Sequence, residues 1–424
     1  MNSRLKGLVL GSSICLAAVL LVGAVLDKSA SDVPYKQLAV FTEVLHRIKS
    51  DYVEEPDLKR VTLGAINGLL QSVDPFASYL SAEQYKEYLK QKDAQVGDVG
   101  LVLSWKYGYL GVVGTIPGSP AARAGLVNGD MLDSIRGIAT HDMPLAYAEL
   151  LLRGKPGSTV EVSVLSLRQQ EPRKITLSRA IIEAPPLVWK MLPDKVGYLQ
   201  VTTLVPGKAA EAAKALRELE KQGATRLVLD LRNCAAGSQE EGIALANLFL
   251  ETGLISYLEG QRVSRQDFKA DPAKLVWRLP VAVITNRGTA GGAELAAAAL
   301  LDNKRAEVVG EPTFGNAAVR KPIGLEDGAA IILAVAKYYS PSGKAIQDVR
   351  VTPTVQVLES EPIPESEEEE LGPAEPERTP RPAHDPLLEK AIEILTKARP
   401  VAQSEAIGAH GSQSRQAGPA AAQP

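Results

Sequence analysis

The chain has 424 residues, a formal net charge of −3 and a pI near 6.0, with scattered basic residues and only five Phe. That length exceeds one usual domain and permits a substantial core, while the balance excludes a phosphate-tracking stripe or an aromatic stacking platform, so no nucleic-acid partner is expected. Two cysteines, Cys15 and Cys234, and four unclustered His exclude a disulfide framework and imply neither metal nor cofactor.

In chain order, residues 1–34 carry Arg4 and Lys6 ahead of an uncharged, largely apolar run, Gly7 to Leu26, whose 20 residues suffice to cross a bilayer as a helix. A cleaved signal peptide, with Val22-Gly-Ala24 as its site, is the competing reading; retention as a single-pass anchor is preferred. Ser13 and Ile14 before Cys15 do not form a lipobox. Residues 35–96 have helical spacing, with Val40, Val44, Leu45 and Ile48 on one stripe and Leu63, Ile66, Leu69 and Leu70 on the next. These helices form a small platform, and the spacing does not separate an intramolecular core from a partner-binding face.

Residues 97–180 alternate short strands, such as Val99 to Leu103 and Thr159 to Ser166, with glycine turns and one short helix, Leu145 to Leu152. From 181 to 357 the pattern becomes strand and helix in turn. Strands are expected at Val196 to Thr202, Arg226 to Leu231, Val281 to Thr285 and Glu307 to Val309, with helices at Ala209 to Gln222, Glu240 to Glu251 and Ala293 to Leu301. This predicts an α/β core around a buried sheet, and the run Ala296 to Ala299 predicts close helix packing. Residues 358–384 are acidic and Pro-rich: nine Glu and no basic residue fall between Glu359 and Glu377, which predicts an extended, solvated insert. Leu387, Leu388, Ile392 and Leu395 predict a helix over 385–398 that returns to the core, and 399–424 reads as a disordered tail.

Several segments together carry a specific resemblance. Val281-Ala-Val-Ile-Thr-Asn-Arg-Gly-Thr-Ala-Gly-Gly-Ala-Glu294 is similar to the N-x-G-[ST]-A-S-A-x-E pattern of the C-terminal processing (tail-specific) serine proteases, and Thr313-Phe-Gly-Asn-Ala-Ala-Val-Arg320 to their T-F-G-K-G-x-V-Q stretch. Asp74-Pro-Phe-Ala-Ser-Tyr-Leu80, Arg153-Gly-Lys-Pro-Gly-Ser-Thr-Val160 and Tyr338-Tyr-Ser-Pro-Ser-Gly-Lys-Ala-Ile-Gln347 extend it. Ser119-Pro-Ala-Ala-Arg-Ala-Gly-Leu-Val-Asn-Gly-Asp130 resembles the PDZ signature. The resemblance implies a crotonase-like α/β protease core with an inserted β-rich PDZ domain and an N-terminal helical platform, and the amino-terminal apolar run places the bulk of the chain on the exported side of a bacterial inner membrane.

The same alignment puts Gly291 at the nucleophile position, Asn316 at the general-base position and Arg320 at the base-orienting position. Glycine offers no hydroxyl, and a carboxamide is no base near neutral pH. In Leu229-Asp-Leu-Arg-Asn-Cys-Ala-Ala-Gly237, Ala236 replaces a family glycine beside Gly237, which predicts a distorted oxyanion loop. The hydroxyl of Thr289 is expected to serve helix-start hydrogen bonding. Val99, Gly100, Leu101 and Val102 form the candidate loop and edge strand for a peptide terminus. The expectation is a protease scaffold without acyl-transfer chemistry that binds extended peptide or protein C-termini, an active protease or another envelope protein. An active endopeptidase with a displaced site and a purely structural scaffold are the alternatives.

Overall fold

Peptide amides that leave water must find partners, and the alternating apolar pattern dictates how they do so here. The structure, a computed structural model, describes residues 32–92, 96–106, 108–141, 143–166, 171–358 and 385–397. The run Gly7 to Leu26, the acidic insert 359–384 and the tail beyond 397 lie outside the described residues. Among the described residues no helix is long and apolar enough to cross a membrane. The chain divides into one unit ending at Tyr79 and another from Leu80 onward.

The first unit contains α1 (Asp32–Asp51) and α2 (Leu58–Val73). The Asp57 carboxylate accepts hydrogen bonds from the Lys59 and Arg60 N–H groups, which starts α2. The predicted stripes are only partly covered. Val40 and Val44 are 54% and 51% exposed, Leu69 is 63% exposed, and Asn67 is the buried residue of α2. An apolar stripe marks a face without fixing what covers it.

The second unit opens with α3 (Ala82–Lys92) and a β-rich region. Strands β1 (Leu101–Lys106), β2 (Tyr109–Thr115), β3 (Met131–Ile135), β4 (Thr159–Leu165) and β5 (Arg173–Ser178) pair antiparallel in that order, leaving β1 on one edge. The short helix Pro120–Arg123 starts on Ser119, whose hydroxyl accepts from Ala122 N–H. Helix α4 (Leu145–Leu152) is apolar on both faces because it is enclosed on both: Ala146 and Leu150 meet Leu80, Ile332, Tyr85 and Tyr88. The predicted strand at Val99 starts two residues later, since Gly100 turns the chain at φ +79°.

The core sheet contains β6 (Val188–Leu192), β7 (Val196–Gln200), β9 (Arg226–Asp230), β13 (Val281–Thr285), β14 (Ala306–Gly310) and β17 (Val355–Gln356), in the order β17-β14-β13-β9-β7-β6. All neighbours are parallel except the β6–β7 hairpin. Side chains alternate between two apolar layers. Leu199, Leu227, Leu229, Val281 and Val283 face helices α5 (Lys208–Lys221), α6 (Gln239–Asn247) and α7 (Gly292–Asp302). Val196, Val228, Ala282 and Ile284 face α8 (Pro386–Lys397) through Leu387, Ala391 and Leu395, so the closing helix does return to the core. The run Ala296 to Ala299 is buried, as close packing requires, and a Cβ on Gly242 of α6 would lie 2.0 Å from the Gly292 carbonyl oxygen of α7.

Between these strands, β8 (Thr203–Leu204) pairs parallel with β10 (Ala236–Gly237). A second, antiparallel sheet joins β11 (Leu254–Gly260), β12 (Val263–Lys269), β15 (Ala318–Gly324) and β16 (Ala330–Tyr339). A buried ionic network fixes α8. Arg232 donates to Asp230 and, with both terminal nitrogens, to Asp385 at 3.1 and 2.8 Å, while Tyr198 donates to Asp230 at 2.8 Å. Asp385 also accepts from Leu388 N–H and so caps the helix it anchors.

Candidate active-site cleft

In parallel sheets ligands gather at the carboxyl ends of strands, and β13 ends there on Thr285. The turn that follows is built from side chains the strand cannot use. Asn286 Oδ1 accepts from the N–H groups of Asn233 and Gly288, both at 3.0 Å, and its Nδ2 donates to Asn233 Oδ1 at 3.0 Å. Thr289 is fully buried; its hydroxyl accepts from Asn286 N–H at 3.0 Å and donates to the Leu231 carbonyl at 2.9 Å. The expected helix-start role is therefore corrected to a lock across the turn, which commits both the proton and a lone pair. Cys234 is buried as well, and burial pushes its thiol pKa up, away from a reactive thiolate.

Gly291 stands at the start of α7 with φ +63° and ψ −123°, the conformation of a tight strand-to-helix turn that aims one side chain into a cleft. A Cβ there would meet only the Asn316 carbonyl oxygen, at 3.7 Å. There is thus room for a larger side chain at Gly291, and the loop of Asn316 lies beside it. Asn316 Oδ1 accepts from Arg320 Nη1 at 2.9 Å, and Arg320 Nη2 donates to Gln347 Oε1 at 3.0 Å. Asn316 and Arg320, expected from the sequence at the general-base and base-orienting positions, are hydrogen-bonded to each other.

Glu294 is the residue that sequence reasoning passed over. Its fully buried carboxylate accepts from Gly291 N–H at 2.9 Å and Asn316 N–H at 2.7 Å through Oε2, and from Gly315 N–H at 2.7 Å and the Thr313 hydroxyl through Oε1. One side chain fastens the Gly291 turn to the segment Thr313 to Asn316. Burial pushes its pKa up against the opposing pull of these four donors. A Glu three residues after a helix start is the signal that could have found it.

The loop of Ala236 and Gly237 does not show the distortion expected from Ala236. Ala236 lies in the short β8–β10 pairing and is not among the residues at positive φ, so its methyl imposes no backbone strain there. The position that requires glycine is Gly237, at φ +129°, where a Cβ would lie 2.2 Å from the Leu204 carbonyl carbon. Strand β2 lies on this loop, because a Cβ on Gly114 would sit 3.3 Å from the Ala235 methyl.

The candidate peptide-terminus loop starts from fixed backbone. Gly97 exchanges hydrogen bonds with Gly154, and Asp98 with Ala180. Val99 is buried and its carbonyl accepts from Ala121 N–H at 2.9 Å; Gly100 packs on Ser119, where a Cβ would come within 2.3 Å of the serine Cβ. Leu101 and Val102 pair with Thr115 and Gly114 along the edge strand β1. Among the described residues no cluster of His, Cys, Asp or Glu could hold a metal ion.

A parallel-sheet core with an inward-aimed turn after one strand, and an antiparallel β-rich region laid on its neighbouring loop, defines the scaffold of a PDZ-fused serine-type peptidase. The Peptidase family S41 profile matches residues 195–357 and a PDZ domain profile matches 111–165. A carboxy-terminal-processing protease of Bartonella bacilliformis is 31% identical over 336 residues, covering 78% of this chain and 77% of that protein. The carboxy-terminal processing protease CtpA of Bacillus subtilis is 33% identical over 314 residues, covering 73% and 66%. Among solved structures, a photosystem II D1 C-terminal processing protease superposes with a TM-score of 0.61 at 27% identity, covering 75% of this chain and 92% of that one. The chain belongs to the carboxyl-terminal processing protease family.

Proposed function

We propose that this family member binds extended chains, above all peptide C-termini, without cleaving them, and works on the exported side of a bacterial inner membrane to which residues 7–26 anchor it. The observation that carries this reading is Gly291: the site that presents a nucleophile in the family has room for one and no atom to attack with. The nearest alternatives support it further, since Thr289 is doubly hydrogen-bonded and buried and Cys234 is buried with a raised pKa. The scaffold around the empty position is intact, as a binding role needs: β1 remains an open sheet edge of the kind that accepts an added strand, and the cleft turns are held by Glu294 and Asn286. Exposed Val40, Val44 and Leu69 on the N-terminal helices support homo-oligomer formation or contact with an envelope partner.

The test incubates the purified protein with a disordered protein of apolar C-terminus. Products are followed by mass spectrometry, and binding by fluorescence anisotropy in the same samples. Binding without new termini is the expected result. Cleavage that persists in Gly291→Ala would overturn the reading, because a different nucleophile would then be at work.

A further inference from the structure

In a PDZ-type groove the incoming carboxylate is received by backbone N–H groups at the start of the edge strand. In this chain the first such donor is already occupied: Gly100 N–H donates to Asp98 Oδ1 at 2.8 Å. The other carboxylate oxygen, Oδ2, accepts from Arg153 Nε at 3.1 Å. An internal carboxylate therefore sits on the loop donor, held by Arg153, with the Arg179 guanidinium also in its field. We propose that Asp98 is a built-in competitor for the peptide terminus, and that Arg153 holds it in place, so free C-termini enter only when the Asp98 side chain turns away from Gly100. This rests on the reading of the β-rich region as a peptide-terminus binder.

The geometry permits a rotamer change and little else. The backbone of Asp98 is fixed by its two-way exchange with Ala180, and Gly100 is fixed against Ser119. The side chains are freer, 31% exposed for Asp98 and 37% for Arg153. A half-exposed ion pair of this kind is worth little on its own and is easily displaced by a better-placed anion. The groups facing it are few. Glu149 of α4 lies within the field of Asp98, Arg153 and Arg320, so a ligand that draws Arg153 toward itself changes the charge felt by Glu149 and, beyond it, by the guanidinium that holds Asn316 in the cleft.

The experiment measures, by fluorescence anisotropy on the full-length protein, binding of an apolar-tailed decapeptide with a free carboxylate and of the same peptide as its C-terminal amide. Wild type is expected to bind weakly and to prefer the free acid over the amide by a small margin. Asp98→Ala should tighten the free acid by about tenfold or more, the worth of one charge-assisted hydrogen bond, and leave the amide unchanged. Asp98→Asn keeps an acceptor on Gly100 N–H without the charge. It should give a smaller gain, and it preserves the test should the alanine variant fold poorly. Free-acid binding that neither variant tightens, or a gain shared equally by the amide, overturns the competitor while peptide binding stands. No binding of either peptide by any variant overturns both.

Discussion

Placing a side chain at Gly291 separates backbone strain from steric exclusion. At φ +63° and ψ −123° a non-glycine residue bears a strain of about 1–3 kcal/mol, and the entropy that alanine removes from the unfolded chain returns about 0.4–1 kcal/mol. Space adds nothing further, since the nearest atom to a Cβ is 3.7 Å away. Gly291→Ala should therefore cost about 1–2 kcal/mol, a fall of a few degrees in melting temperature for a core of this size. One residue on, the sources reverse. Gly292 is not at positive φ, but its Cβ would lie 2.3 Å from the Ser238 carbonyl oxygen, so Gly292→Ala must shift backbone and should cost more. Thermal unfolding of both variants, followed by circular dichroism, makes the comparison. Equal losses, or a larger loss at Gly291, would refute the assignment of strain to one position and exclusion to the other. The same geometry bears on chemistry: Gly291→Ser alone should give no proteolysis because no base is present, whereas Gly291→Ser/Asn316→Lys/Arg320→Gln should give measurable cleavage, these groups acting as a unit. Full activity in the single variant would show that Asn316 and Arg320 are not the deficit argued here.

Glu294→Gln should destabilise the core by about 3 kcal/mol or more, because the amide nitrogen would face N–H donors that Glu294 now satisfies; the melting temperature checks it. Arg232→Met should cost about 3–5 kcal/mol by leaving Asp230, fully buried, without its cation. Asp385→Asn should cost less and reveal the pH dependence of the α8 clamp. Burial raises the Asp385 pKa, but hydrogen bonds from Arg232 and its charge, with the Leu387 and Leu388 N–H groups, outweigh it and hold the carboxyl below 3.8. Its contribution is thus present above that pH and lost as pH falls through the folded value; a wild-type advantage that instead grows on acidification would refute the clamp. Replacing residues 359–384 by about six Gly/Ser residues, a reach of about 20 Å, should change stability by no more than about 1 kcal/mol. Both ends of the insert already meet at Gly310. Val357 N–H donates to its carbonyl at 3.1 Å, and Leu387 Cδ2 would touch its Cβ at 3.0 Å. Urea unfolding of the shortened protein measures the change.

The core was legible because each buried strand writes its two faces in alternation, as in Leu227, Val228 and Leu229, and because the motif segments keep their spacing. The N-terminal helices were legible as helices but not in their burial, since periodicity names a face and cannot say what covers it; Val44 and Leu69 are the instances. At the site, missing atoms at Gly291 and Asn316 could be read directly from residue types. The consequence of Ala236 could not, because whether a methyl strains a loop depends on a φ angle that only the fold sets. Thr289 and Glu294 were hidden for a related reason: their partners, Leu231 and the segment Thr313 to Asn316, lie 58 and 19 to 22 residues away in sequence.

Under the proposed non-cleaving role, the architecture separates the positions that would carry a reaction from those that hold the fold. A side chain added at Gly291 would face a gap, while Asn316 bonds Arg320 and Arg320 bonds Gln347, contacts among side chains that leave the backbone of the turns to other residues. The turns themselves hang on Asn286, Thr289 and Glu294, which satisfy buried backbone groups and whose removal would leave those groups unpaired. Loss of the first set removes a reaction; loss of the second would remove the core. A chain relieved of the need to cleave is therefore expected to change at Gly291 and to stay fixed at Glu294, and the smaller stability loss predicted for Gly291→Ala than for Glu294→Gln is the physical form of that difference.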